Sequence, residues 1–391
     1  MTTNNRLIHF IKEHGPDMFD LIEKMVLIQS GSHNKEGVDR VSGLIESSFQ
    51  SNSVSCRLIE QTKFGNHLVV RSLCENRFDK QILLVGHMDT VFPKDTDFNL
   101  FREDSAKCYG PGVIDMKGGL VAGIFALKAL DSLGLLKKIP ITFFFNSDEE
   151  IGSPGSRELI KAEAQKSAFA FVLECGGQKG EVVTGRKGNL SLKLNVFGKA
   201  GHAAFAGQDK ASAVLELAYK TIDFESLNDF EKGVTVNVGT VKGGVGHNTV
   251  PEHATARIDF RFVEQKDHDF LKEKISEIAA KPKTPQTSAG FEIISTRPPM
   301  EQTDANRKLF QAVKGVADKL DFPIQEEFRN GVSDANIIAE QGIPVLDGLG
   351  PAGANDHSKD EYMIKESLLQ RATLLACSIV ECRQKYHSNL N

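Results

Sequence analysis

Several things are missing from this 391-residue chain, and each absence removes a class of function. There is no Cys-x-x-Cys pair among its six cysteines, Cys56, Cys74, Cys108, Cys175, Cys377 and Cys382. Scattered thiols of this kind suit a reduced compartment rather than a disulfide framework, so a cytoplasmic protein is expected. No apolar run approaches the roughly 18 residues of a membrane span, and the first residues lack the apolar core of a signal peptide. No run of Lys and Arg appears, and the formal net charge is −5, which argues against a nucleic-acid partner. What remains, 40% hydrophobic and 25% charged, is ordinary globular composition. The length exceeds what one core usually serves, so two domains are expected.

The organising stretch is Ile82-Leu83-Leu84-Val85-Gly86-His87-Met88-Asp89-Thr90-Val91. An apolar run long enough for one buried strand stops at His87, and Asp89 follows two positions on. In an extended chain such residues share a side, so the Asp89 carboxylate could orient the imidazole, as behind a metal ligand. The same grammar recurs. The strand 139–145 leads into Asp148-Glu149-Glu150, the strand 168–173 ends at Glu174, and Ile343-Pro344-Val345-Leu346 is followed by Asp356-His357. Functional groups gather at the carboxyl ends of strands in open α/β sheets. Between the strand that stops at His87 and the strand 139–145 lies Gly110-Pro111-Gly112-Val113-Ile114-Asp115-Met116-Lys117-Gly118-Gly119. It lacks the rest of a G-x-G-x-x-G fingerprint, and its central acid would repel phosphate.

Elsewhere the pattern is quieter. The first 60 residues read as helical, with helices over 17–28 and 38–49 and a loop at Ser30-Gly31-Ser32-His33-Asn34. The segment 66–71 reads as a strand, with His67 structural. From Gly185 to Pro298 the periodicity changes to β-α-β-β-α-β, the order of a ferredoxin-like unit. The expected organisation is therefore a first domain over 1–185, an insert over 186–297, and a return to the first domain over 298–391.

His87, Asp115, Glu150, Glu174 and His357 offer only nitrogen and oxygen donors, which favours zinc, cobalt or manganese. Five donors exceed what one catalytic zinc takes and suit two metals sharing a carboxylate, with Asp115 on its glycine turn the choice for the bridge. Glu149 and Glu150 are adjacent, so their side chains diverge; one can bind metal while the other stays free as a general base.

These motifs resemble those of the M20 metallopeptidases, closest to the glutamate carboxypeptidase branch. The matching pieces are Gly86-His87-Met88-Asp89-Thr90-Val91, the glycine turn around Asp115, Asp148-Glu149-Glu150-x-Gly152-Ser153, Glu174, Gly198-Lys199-Ala200-Gly201-His202-Ala203, and Asp356-His357-Ser358-x-Asp360-Glu361. The resemblance implies an α/β catalytic domain with helices around a central sheet, interrupted by a ferredoxin-like α+β lid through which the chain forms a homodimer. It implies one metal on His87, Asp115 and Glu174, and another on Asp115, Glu150 and His357. Glu149 would be the general base and acid, Asp89 the support of His87, and His202 the group that stabilises the oxyanion, reaching across from a partner. Asn248, Arg261 and Arg329 are candidates for the substrate's carboxylate. The implied enzyme uses two divalent ions, zinc foremost, to release a C-terminal amino acid such as glutamate from a small peptidyl or N-acyl substrate. The competing reading is a deacylase of the acetylornithine or succinyl-diaminopimelate type.

Overall fold

A computed structural model describes residues 2–75 and 80–387. The chain divides into two units. The first comprises Met1–Gly185, Gln302–Phe328 and Ser333–Asn391, and the second Arg186–Glu301 with Arg329–Val332.

The first unit is built on a six-stranded sheet. Its order is Val54–Ile59, His67–Ser72, Ile141–Asn146, Gln81–His87, Ser167–Val172 and Val345–Leu346. The first two strands pair antiparallel and the last four run parallel. Every residue of Ile141–Asn146 is buried, as is every residue of Gln81–His87 but the first. A sheet covered on both faces demands such continuous apolar strands. Phe143, Phe144 and Phe145 are at most 1% exposed, each contributing about 2 kcal/mol by burial. The helix Gly118–Ser132 is apolar nearly all round, because it lies inside this core. Its start sits hard against a strand end: a Cβ on Gly119 would stand 1.9 Å from the carbonyl oxygen of Leu173.

The second unit carries a four-stranded antiparallel sheet, ordered Thr235–Gly243, His253–Phe262, Gly188–Phe197 and Ser288–Arg297. The helices Ala213–Glu225 and Gln265–Ala280 share its core. Gly188–Phe197 and His253–Phe262 alternate buried with less buried residues, as strands with one covered face do. This is the ferredoxin-like arrangement.

The structure departs from the sequence reading at several places. Val54–Ile59 is a strand, although the first 60 residues read as helical. It is an edge strand with Leu58 43% exposed, so its alternation was too weak to stand out. The first two long helices expected start earlier, at Gly15 and Lys35. Pro16 fits the first turn, and Asn34 Oδ1 caps the second by accepting from Gly37 N. Residues 298–301 stay with the second unit, where Arg186 and Met300 exchange backbone hydrogen bonds of 2.8 and 3.0 Å. The chain also returns briefly at Arg329–Val332, whose Arg329 carbonyl accepts from Lys187 N at 3.0 Å.

Candidate metal centre

The parallel strands of the first unit deliver side chains to one end of the sheet. His87 is the last residue of its strand and is 1% exposed. Its Nε2 lies 3.1 Å from Asp115 Oδ1 and 3.6 Å from Glu174 Oε1. Asp115 sits in the turn Val113–Lys117, directly before the buried helix. Its other oxygen, Oδ2, is 3.2 Å from His357 Nε2. The same His357 nitrogen is 3.4 Å from Glu150 Oε2. Asp115 thus faces one imidazole with each oxygen, which is the placement of a bridging carboxylate. His87, Asp115 and Glu174 form one group whose ligand atoms lie within 4.8 Å of one another, and Asp115, Glu150 and His357 form a second.

The residues present fit two divalent cations on the chemistry of the donors. Glu150 Oε1 is buried with no hydrogen-bond partner among the described residues, an expensive state for a carboxylate oxygen. Burial pushes the Glu150 carboxyl up to about 7 even though His357 bonds to it. Burial and then the neighbouring Asp115 raise Glu174 well above the usual carboxylate range. For His87, burial alone would lower the imidazole, but Glu174, Asp115 and Asp89 outweigh it and hold it well above its ordinary value. Bonds to Asp115 and Glu150 push His357 to about 11. Three carboxylates crowd two imidazoles, an excess of negative charge that cations would neutralise. All five donors are nitrogen or oxygen, the set that suits zinc, cobalt or manganese.

Asp89 lies against His87 with both its main chain and its carboxylate, and holds a second element besides. The imidazole Nδ1 is 3.0 Å from the Asp89 backbone carbonyl oxygen and 3.5 Å from its carboxylate. The fully buried carboxylate also accepts from Glu149 N and Glu150 N, both at 3.2 Å, and from Ser32 Oγ at 2.7 Å. One residue therefore orients the first imidazole through its main chain and the acidic turn through its side chain.

Glu149 and Glu150 open a single 3-10 turn, Glu149–Ile151. Beneath it, Asp148 accepts from Gly155 N, Ser156 N and Ser156 Oγ. Asp334 accepts from Asn146 Nδ2 at 2.7 Å and Ser153 Oγ at 2.5 Å. Glu150 belongs to one of the two groups of possible metal ligands, whereas Glu149 is in neither.

Sequence reasoning assigned no role to Glu361. This fully buried carboxylate accepts from Gly112 N and Ile114 N at 2.9 Å and from Asp115 N at 3.2 Å. It ties the Asp115 turn to the segment that carries His357. Burial raises it to about 7 despite those three amides. The only signal was an acid pair, Asp360-Glu361, just after His357. Lys117 was missed as well: its ammonium is buried and donates to Ile28 O at 3.0 Å and Pro111 O at 3.3 Å.

His202, Asn248, Arg261 and Arg329 all belong to the second unit. His202 is exposed and pairs with Thr249 in a two-residue ladder, while Ala203 N donates to Asn248 O at 2.9 Å. His202 and Asn248 therefore share one loop cluster. Arg261 Nε donates to Asp259 Oδ2 at 2.8 Å.

Residues 83–381 match the family model for peptidase family M20/M25/M40. The chain belongs to that family. It is a metal-dependent hydrolase of amide bonds. Carboxypeptidase G2 of Pseudomonas sp. (strain RS-16) is 28% identical over 386 residues, covering 96% of this chain and 92% of the relative. Succinyl-diaminopimelate desuccinylase of Pseudoalteromonas translucida (strain TAC 125) is 27% identical over 282 residues, covering 67% of this chain and 71% of the relative. Among solved structures, aminopeptidase PepT from Bacillus cereus ATCC 10987 superposes with a TM-score of 0.77 at 21% identity, covering 94% of this chain and 99% of that one. At that identity the likeness speaks for the fold.

Proposed function

We propose that this M20 enzyme is a two-metal carboxypeptidase that releases a C-terminal amino acid, glutamate foremost, from a peptidyl or N-acyl substrate. The observation that carries the reading is Asp115, with one oxygen 3.1 Å from His87 Nε2 and the other 3.2 Å from His357 Nε2. His87, Asp115 and Glu174 would hold one ion, and Asp115, Glu150 and His357 the other. Such ions, zinc foremost, supply Lewis acidity toward the scissile carbonyl and make water acidic near neutral pH. Glu149 precedes the ligand Glu150 on the same turn and lies outside both ligand groups, and it is assigned to take the proton of the attacking water and return it to the leaving amine. Asp89 fixes that turn through two backbone amides. His202 is assigned to the oxyanion, and Asn248, Arg261 and Arg329 to the substrate carboxylate.

The chain acts as a homodimer through the second unit in this reading. Thr235–Gly243 pairs on one side only among the described strands, and Val214, Leu215, Tyr219 and Ile222 of the adjoining helix are 38–65% exposed. An open edge beside an apolar helix face is a surface that seeks a partner. Its six cysteines form no disulfide among the described residues, which suits the cytoplasm.

Likeness to a succinyl-diaminopimelate desuccinylase favours a second reading, an N-acyl amino acid deacylase of the acetylornithine or succinyl-diaminopimelate type. The discriminating experiment is a hydrolysis screen of the zinc-loaded chain. N-acyl-glutamates and short peptides are set against acetylornithine and succinyl-diaminopimelate, each with a chelator control. Chelator-sensitive release of a C-terminal amino acid is expected. Selective turnover of the last two substrates would establish the deacylase instead.

A further inference from the structure

The loop 30–34 has no role in the chemistry above, yet it forms one wall of a groove of about 320 Å3 in the first unit, bounded also by Glu150. The wall is firmly built. Thr90 N donates to Ser30 O at 3.0 Å and Ser32 N to Thr90 O at 3.2 Å, so the loop runs alongside residues 90–94. Glycine is required at 31, because a Cβ there would stand 2.1 Å from the Phe92 carbonyl oxygen. Asn34 Nδ2 donates to Gln29 O at 2.6 Å. Ser32 Oγ bonds to Asp89, the same carboxylate that receives the Glu149 and Glu150 amides. The wall and the acidic turn are therefore held by one buried group.

The lining is divided by chemistry. Val91, Phe92 and Ile151 are apolar, and Ile151 directly follows Glu150. Among the described lining residues the one lysine is Lys94, 70% exposed, and the one imidazole is that of the exposed His33. Lys94 meets Glu36 at 3.3 Å, but both are exposed and solvated, a weak pair that a ligand can displace. Apart from Glu150 there is no carboxylate among the described lining residues, and no arginine. A leaving amino acid carries its carboxylate one carbon from the scissile nitrogen and would need a cation close to the metal centre. An acyl chain places apolar carbons there and any charge at its far end.

We propose that this groove is the subsite for the acyl portion of the substrate, selecting a short apolar body that ends in a negative charge. Val91 and Ile151 set the shape and Lys94 reads the terminal anion. The proposal rests on the amide-hydrolase reading.

The test uses the full metal-loaded chain and one amino acid carrying acetyl, butyryl or succinyl groups. Succinyl is close in length to butyryl but ends in a carboxylate. For Lys94→Glu, kcat/KM for the succinyl compound falls about tenfold through KM, while the acetyl and butyryl compounds stay within about twofold. For Val91→Trp, both longer acyl groups lose about tenfold and acetyl stays within about twofold. Equal losses for all three acyl groups, or no change in either variant, would overturn the subsite while leaving the hydrolase intact. A wild-type chain that cleaves none of the three would overturn the hydrolase reading and the subsite with it.

Discussion

In the first unit, buried carboxylates converge on one another; in the second, the buried charges are closed off. Glu150 and Glu174 lie near Asp115, and one Glu150 oxygen has no hydrogen-bond partner among the described residues. In the second unit Lys220 and Glu216 are equally buried, and Glu216 Oε1, though it too accepts no hydrogen bond among the described residues, faces the Lys220 ammonium at 3.0 Å. Lys220 donates to the carbonyls of Ile278 and Lys281, and Glu216 accepts from Lys283 N and Thr284 N. That pair pins the helix Ala213–Glu225 to the chain leaving Gln265–Ala280. Burying charge without closing its valences costs stability, so a fold tolerates it where a ligand completes the set. A satisfied pair is architecture, whereas an unsatisfied cluster is a site.

Substitutions can break this contrast from either side. Glu149→Gln should lower kcat about a thousandfold, roughly 4 kcal/mol, without changing the metal content measured by elemental analysis. Full activity in that variant would remove Glu149 from its role. Lys220→Met leaves the Glu216 carboxylate buried and unpaired and should cost about 3 to 4 kcal/mol in urea unfolding. Metal binding should be retained, because the pair lies in the other unit. Glu361→Gln weakens the clamp on the Asp115 turn and should reduce metal affinity about tenfold to a hundredfold by calorimetric titration.

The smallest effect sharpens the comparison within the first unit, where one buried carboxylate is fully paired. Burial opposes ionisation of Glu163, but the two-pronged contact from Arg71, with help from Gln81 and Lys166, holds its carboxyl at about 2. Its folded value lies below the ordinary one, so the stabilisation is complete above about pH 4.5 and lost as pH falls toward about 2. Arg71 is 37% exposed, which lessens the gain. Glu163→Gln should therefore cost about 2 kcal/mol near neutral pH and almost nothing near pH 2, by urea unfolding at each pH.

Much of the first unit was legible because its sheet is covered on both faces. That burial forces unbroken apolar strands, and a histidine or acid at the end of such a strand stands out. His87 and Glu174 were readable on that ground, as was the ferredoxin-like order of the second unit from its alternation. Glu361 was not, because its three amide partners lie about 250 positions earlier and no local pattern encodes the pairing. The bonds of the Asp89 carboxylate to Glu149 N and Glu150 N were hidden for a related reason: those amides belong to a turn some 60 residues on. The exposed edge strand Val54–Ile59 lacked a buried face strong enough to give a period.

The most direct test is a zinc titration of the metal-stripped chain, following bound metal and hydrolysis of an N-acyl-glutamate together. The account predicts activity that reaches its maximum with two ions per chain and disappears with chelator. Full activity without metal, or two bound ions with no amide cleaved across the substrate panel, would contradict it.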